Sequence, residues 1–276
     1  MLEFLIPNNI VCHAIEAMLF ASIACSILGV IITQLKISSI GFTMAHAAFA
    51  GAACGMFFGF DPRISAVAVS IMIALLIGPL ADRAKMPEDT VLGVLFGMLM
   101  AVAVFFIAYM QYVGKGFNAN SLLFGDVISL YREEIYALVI ISFMAVIFVV
   151  LLYKEISAII FNRKVAEAAG IKVKPIYYAL LFMIAFTVAL SLNIVGGLLL
   201  YVWLITPAAI AYQFMFDVKG LFIMAPVVAA VISVSSAIVG LEYSLPVGPL
   251  TAVVFSVVFI IAVIFSRKRK VTSRKH

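Results

Sequence analysis

This sequence is poor in charge. Asp, Glu, Lys and Arg make up only 11% of its 276 residues, against about 25% in soluble domains, while 66% are hydrophobic. A chain this poor in charge cannot cover itself with polar surface in water, which excludes a soluble globular protein. No polar stretch is long enough for a separate domain, so residues 1–276 are read as one integral membrane domain. Cysteine is also scarce. Cys12, Cys25 and Cys54 all fall in apolar runs without ligand-like spacing, which excludes a disulfide framework and a thiolate metal site. No G-x-x-x-x-G-K-[ST] loop occurs, so ATP is not bound by that route, and H-E-x-x-H and G-x-S-x-G are missing too. An enzyme is therefore not expected. Nor is a nucleic-acid partner, because the net charge of +5 comes without a basic groove or reader motif. One acid, Glu3, and no cation precede the first apolar run, so a cleaved signal peptide is not expected either.

What is present is a succession of apolar windows of about 20 residues, each long enough to cross a bilayer as a helix. The spans are 11–33, 40–60, 64–80, 91–112, 135–153, 177–192, 194–216, 221–241 and 247–265. The predicted fold is an all-α, polytopic membrane protein with about nine transmembrane helices. The seventh span contains Gly196-Gly197 and Thr206-Pro207, which could break it, so eight spans plus a re-entrant segment is the second choice.

Of the eighteen cations, only Arg63, Lys115 and Arg132 fall on one side of this layout. The others, including the basic tail 266–276, fall on the other side, which the positive-inside rule makes cytoplasmic. The N-terminus is then outside and the C-terminus in the cytoplasm. On the inner side, the loop 154–175 reads as a short amphipathic helix from Glu155 to Ala169, stopped by Gly170 and closed by Pro175. Such a helix suits either an interfacial anchor or a docking element for a soluble partner. A second inner connection, Ala81–Thr90, carries a helix start at Asp89-Thr90. Small residues at Ala47, Gly51, Gly55 and Gly59, and again at Gly93 and Gly97, form tracks that let helices approach closely in lipid.

Histidine occurs three times, and His46 lies inside the second span. An ionisable group in hydrocarbon is costly and usually faces a bundle interior or substrate path. On a helix His46 shares a face with Phe42, Ala50 and Cys54. Its neutral imidazole is a potential ligand for a transition metal, or a core group bonded to a carbonyl. His13 and Glu16, one turn apart at the outer start of the first span, form either a mouth for a cation or a wet interface. Asp126 and Glu242, both in outer connections, suit helix caps or contacts for an external partner.

Several short motifs follow one another along the chain. They are Ile40-Gly-Phe-Thr-Met-Ala-His46-Ala-Ala-Phe-Ala-Gly51, Asp89-Thr-Val-Leu-Gly93, Leu123-Phe-Gly-Asp126, Ala166-Glu-Ala-Ala-Gly170, Val195-Gly-Gly-Leu-Leu-Leu200, Leu204-Ile-Thr-Pro-Ala-Ala209 and Leu245-Pro-Val-Gly-Pro249. This ordered set resembles the membrane permease subunit of ATP-binding cassette importers for zinc, manganese or iron. The resemblance implies a homodimeric pore in the plasma membrane, with a cytoplasmic ATP-binding subunit docked on each copy and a substrate-binding protein outside. It implies no covalently bound cofactor, a divalent metal ion as cargo, and ATP only through the partner subunit. Phe161, Glu167, Ala168 and Gly170 then fall in the element that couples to the ATPase. His46, Phe42 and Thr43 fall on the substrate pathway, with His46 as the metal contact and Phe42 as a gate or plug.

One position departs from the pattern. The family motif usually runs Gly-Asp-x-x-x-His, which puts a carboxylate and an imidazole on one helix face where both reach one cation. Here Phe42 holds the aspartate position and Thr43 offers only a neutral oxygen. A metal chelate or small organic solute on the same machinery is therefore the alternative cargo. A secondary transporter or channel without an ATPase is the alternative machinery.

Overall fold

The structure, a computed structural model, describes residues 10–113 and 132–266. Asp126 with its Leu123–Asp126 motif, Lys115, and the basic tail from 267 onward lie outside the described residues. Among the described residues the fold is all helical, in the order α1 (Ile10–Gln34), α2 (Ser39–Phe58), α3 (Pro62–Ala84), α4 (Glu88–Tyr112), α5 (Arg132–Leu151), α6 (Tyr153–Phe161), α7 (Arg163–Ala168), α8 (Val173–Val195), α9 (Gly197–Phe214), α10 (Val218–Glu242) and α11 (Val247–Ile264). Nine of these are long and apolar enough to cross a membrane; α6 and α7 are the short pair.

Local chemistry sets the boundaries. Asp61 caps α3 by accepting from the Arg63 and Ile64 amides, with Pro62 at the first helical position, where no amide hydrogen is needed. Asp217 caps α10 through the Gly220 amide at 2.8 Å. The sequence expectation of a break in the seventh span is met at its start, and among the described residues nine helices are long and apolar enough to cross a membrane. α9 runs unbroken through Pro207, and the interruption falls at Gly196 (φ 83°, ψ 153°), the one residue between α8 and α9. Only glycine occupies that backbone region without strain.

The expected single helix from Glu155 to Ala169 is corrected to two. Asn162 is extended (φ −163°, ψ 114°), ends α6, and accepts from the Lys164 and Val165 amides to start α7. An asparagine in that place offers the backbone a cap in competition with helix continuation. Gly170 adopts the left-handed φ of 86° that stops the run. Pro175 does not close the loop; it sits in the first turn of α8, where its missing amide costs nothing.

α1, α2 and α8 are the interior helices, their spanning windows being 72%, 72% and 61% buried, against 28% for α4 and α11. α1 packs on α5, α9 and α10, while α2 packs on α3, α4 and α8. The small-residue track holds in part. A side chain on Gly51 or Gly55 would strike Ser65 of α3, so these glycines do bring two helices together. Gly59 instead terminates α2 in a left-handed turn, and Gly93 and Gly97 meet nothing within 4 Å in this chain. The closest backbone approach was not anticipated: Gly29 of α1 lies against the Leu204 peptide of α9.

The largest side chain in the core is Trp203, fully buried, whose Nε1–H donates to Ser233 Oγ at 2.8 Å and ties α9 to α10. Ser233→Ala would leave that indole donor without its partner in apolar surroundings. We expect a loss of about 1 kcal/mol, read as a drop of a few degrees in the melting midpoint of the detergent-solubilised protein.

Candidate functional site

His46 lies seven residues into α2, about 10 Å of helix rise from Ser39, and is part-buried. Its Nδ1 is 2.9 Å from the Phe42 carbonyl oxygen, one turn back. A carbonyl can only accept, so Nδ1 carries the proton and, in the neutral ring, Nε2 keeps the free lone pair. Two aromatic rings, from α2 and α4, contact the imidazole, and a third from α9 packs on Phe42. Phe96 of α4 meets the imidazole edge-on at 4.7 Å between centroids, and Phe42 stacks on it at 5.8 Å. Phe42 itself lies 3.9 Å from Tyr201 of α9 and 5.5 Å from Phe96.

His46, Phe42, Phe49, Leu198 and Tyr201 line a cavity of about 250 Å³ whose walls are almost entirely apolar. Phe42 is 40% exposed at its edge. The expected pairing of His46 with Phe42 is thus one place in space. Thr43, expected beside them, is fully buried on another face of α2. Its hydroxyl donates to backbone, lying 2.9 Å from the Leu92 carbonyl oxygen and 3.0 Å from that of Ser39, so it fastens α2 to α4 and does not line the cavity. Among the described residues no group of three or more His, Cys, Asp or Glu side chains could hold a metal ion. Among the side chains that line this cavity, His46 and Tyr201 are the polar ones.

His13 and Glu16 line a second cavity of about 230 Å³ together with Arg132 and Tyr136 of α5. The two residues read as a cation mouth or a wet interface share one cavity, and Arg132, not foreseen there, lines it with them. Its positive charge opposes a bare cation there. Glu242 ends α10, and no contact of its side chain is described.

At the opposite end of the bundle, where Lys36, Arg83, Lys85 and Lys219 also lie, α6 and α7 form an angled pair. Phe161 is 85% exposed at the bend, Glu167, Ala168 and Gly170 are exposed, and Ala166 turns inward onto Ile159 and Val173. The pair is held to the bundle by a contact that sequence reasoning missed. Arg163 Nη1 lies 3.0 Å from Glu88 Oε1, Tyr177 donates to Glu88 Oε2 at 2.5 Å, and the guanidinium sits 4.8 Å from the Tyr177 ring centre. These residues are 75 and 89 positions apart, so no local pattern could have joined them. Asp89, expected as a helix start, caps a different helix: its Oδ1 accepts from the Ser39 amide at 3.1 Å.

Comparison with known proteins gives a consistent picture. "Uncharacterized membrane protein slr2045" of Synechocystis is 30% identical over 257 residues, 92% of this chain and 90% of that one. A protein of Listeria monocytogenes, "Manganese transport system membrane protein MntC", is 28% identical over 272 residues, covering 97% and 95%. Among solved structures, "PsaBC from Streptococcus pneumoniae in complex with Fab" superposes over 100% of this chain and 98% of that one with a TM-score of 0.85. At 20% sequence identity that likeness is one of fold. The family model described as the ABC 3 transport family matches residues 8–266, so the chain belongs to the ABC 3 transport family.

Proposed function

We propose that this chain is the permease subunit of an importer that moves a divalent transition-metal ion inward, driven by a separate ATP-hydrolysing subunit. The observation that carries the reading is His46: an ionisable ring in mid-span, with one nitrogen tied to backbone and the other free, on the wall of a cavity between α2 and α9. A borderline-soft imidazole suits iron and zinc, while manganese takes oxygen donors more readily. Because one copy supplies one such nitrogen, the reading includes a second copy whose His46 shares the load, forming a homodimeric pore. The excess of cations at the α6–α7 end supports that end as cytoplasmic. The exposed Phe161–Gly170 surface is there the dock for the ATPase, and a substrate-binding protein delivers cargo to the other face. ATP hydrolysis in the partner then rocks the helices around a fixed site, the logic of alternating access.

Uptake of Mn²⁺ into vesicles holding the complex of this chain with its ATPase tests the role of His46. We expect His46→Ala to lower uptake roughly tenfold or more, the scale of losing metal-site support, with the ATPase still co-purifying. Undiminished Mn²⁺ uptake would remove the ligand role. A second reading rests on Phe42. With an aromatic ring in place of a carboxylate and an apolar cavity wall, a metal chelate or small organic solute fits the same pathway. Transport of a chelate but not of free Mn²⁺ by the same vesicles would select it. Purification without any ATP-hydrolysing partner would favour a secondary transporter or channel.

A further inference from the structure

Glu88 and Asp89 are neighbours in the first turn of α4, yet they hold different parts of the molecule. Glu88 uses both carboxylate oxygens, one on Arg163 of α7 at 3.0 Å and one on Tyr177 of α8 at 2.5 Å. The Arg163 guanidinium lies 4.8 Å from the centre of the same tyrosine ring, so the three groups close on one another. Asp89 reaches the other way and accepts from the Ser39 amide. Ser38 supplies no side-chain cap to α2, so the aspartate takes on a role normally filled within the helix. Its charge also complements the positive end of the α2 dipole. One turn further along, Thr43 and Leu92 tie α2 to α4 again.

We propose that the Glu88–Asp89 pair is the joint that couples α6–α7 to α2, and that Glu88, Arg163 and Tyr177 are positioning residues for the transport cycle. The path is short and made of named bonds: α7 through Arg163 to Glu88, across one peptide to Asp89, to the Ser39 end of α2, and two turns on to His46. The Tyr177–Glu88 bond, on a buried ring, can serve stability, but stability accounts poorly for the Arg163 arm. The Arg163 and Glu88 side chains are 43% and 24% exposed, and ion pairs in such wet settings add little stability. What the arrangement provides is geometry, because a carboxylate gripped from two elements cannot follow one without pulling on the other. α6 and α7 are otherwise seated by apolar contacts, with Ile156 in the main core, Tyr153 against Phe222 of α10, and Ile159, Ala166 and Val173 in a smaller cluster, and such contacts resist sliding less than a directional one does.

The inference rests on the reading of this chain as an ATPase-driven permease, and its test separates the two. The intact complex is prepared with Cys12, Cys25 and Cys54 replaced by alanine and a thiol placed on the cavity wall by Leu198→Cys. Alkylation of that thiol is timed with and without ATP and vanadate, which requires no knowledge of the cargo. In the parent complex, trapping should change the rate by roughly fivefold or more, the scale of ordinary allosteric coupling. Arg163→Glu and Glu88→Arg should each abolish the nucleotide-dependent change while the ATPase still co-purifies in the same ratio. The double swap Glu88→Arg with Arg163→Glu re-forms the ion pair but not the Tyr177–carboxylate bond, so it should restore a part of it. Glu88→Gln and Tyr177→Phe, which keep shape and remove charge or donor, should each reduce it and so cover any failure of Glu88→Arg to fold. Single variants that keep the full nucleotide response, or a double swap no better than the worse single variant, overturn the joint. Failure of the parent chain to bring down any ATPase overturns the functional reading instead.

Discussion

Replacing Gly29 by alanine will strip away much of the protein's thermal stability, while the same change at Gly93 will leave it intact. A Cβ on Gly29 would stand 2.0 Å from the Leu204 carbonyl oxygen, 2.8 Å from its carbon and 3.1 Å from its Cα. All three are backbone atoms, so no rotamer change relieves the clash, and α1 or α9 must move. Overpacking of this kind costs about 1–3 kcal/mol, and more where the obstacle is rigid. For a chain of this length that corresponds to a fall on the order of 10 °C in melting midpoint. α9 also carries Tyr201 and Leu198, so displacing it should deform the His46 cavity. Gly93 meets nothing within 4 Å, and alanine is the better helix former by about 1 kcal/mol. Size-exclusion recovery after heating measures both variants. Matching midpoints for the two would contradict backbone-to-backbone packing of α1 on α9.

Phe42→Asp should turn the cavity into a metal site whose occupancy is visible as stability. The new carboxylate would lie one turn before His46, the spacing at which two ligands on one helix face reach one ion. Removing the ring forfeits its contacts with Tyr201 and Phe96, and a carboxylate at this depth is costly without a partner. The metal-free variant should therefore melt well below the parent. Adding Mn²⁺ or Zn²⁺ at about 100 times the dissociation constant should return about 2.7 kcal/mol, whereas the parent should respond far less. A variant that melts at one temperature with and without metal would refute the idea that position 42 sets how tightly this pathway holds a bare ion.

Much of the fold was readable because the bilayer imposes one rule on every segment: satisfy the backbone internally and stay apolar for about 20 residues. Pro207 shows where that reading needed help. A proline and a glycine pair both signal a break, and only packing decides between them; the chain breaks at Gly196 and carries Pro207 inside α9. Asn162 is the reverse case, a capping residue inside an amphipathic run whose periodicity masked it. His46 and Phe42 were found together because helical spacing puts them on one face. Phe96 and Tyr201 were not, since they reach the same place from α4 and α9 and carry no local mark. Thr43 was assigned to the pathway by its position in the motif, yet a residue one step along a helix points about 100° away, and its hydroxyl faces α4. The Glu88–Arg163–Tyr177 contact lay furthest from view, because ordinary charged residues near a membrane surface look alike until the fold brings them together.

The bond from His46 Nδ1 to the Phe42 carbonyl has a bearing on energetics. A histidine can pass a proton on by taking it up at one nitrogen and releasing it from the other, which needs a proton partner at each. Here one nitrogen is committed to a backbone oxygen of its own helix, which has no proton to give and no base strength to take one. A proton arriving at Nε2 must leave from Nε2. Held this way, the ring offers one lone pair to the cavity, so a metal ion and a proton compete for the same Nε2 atom.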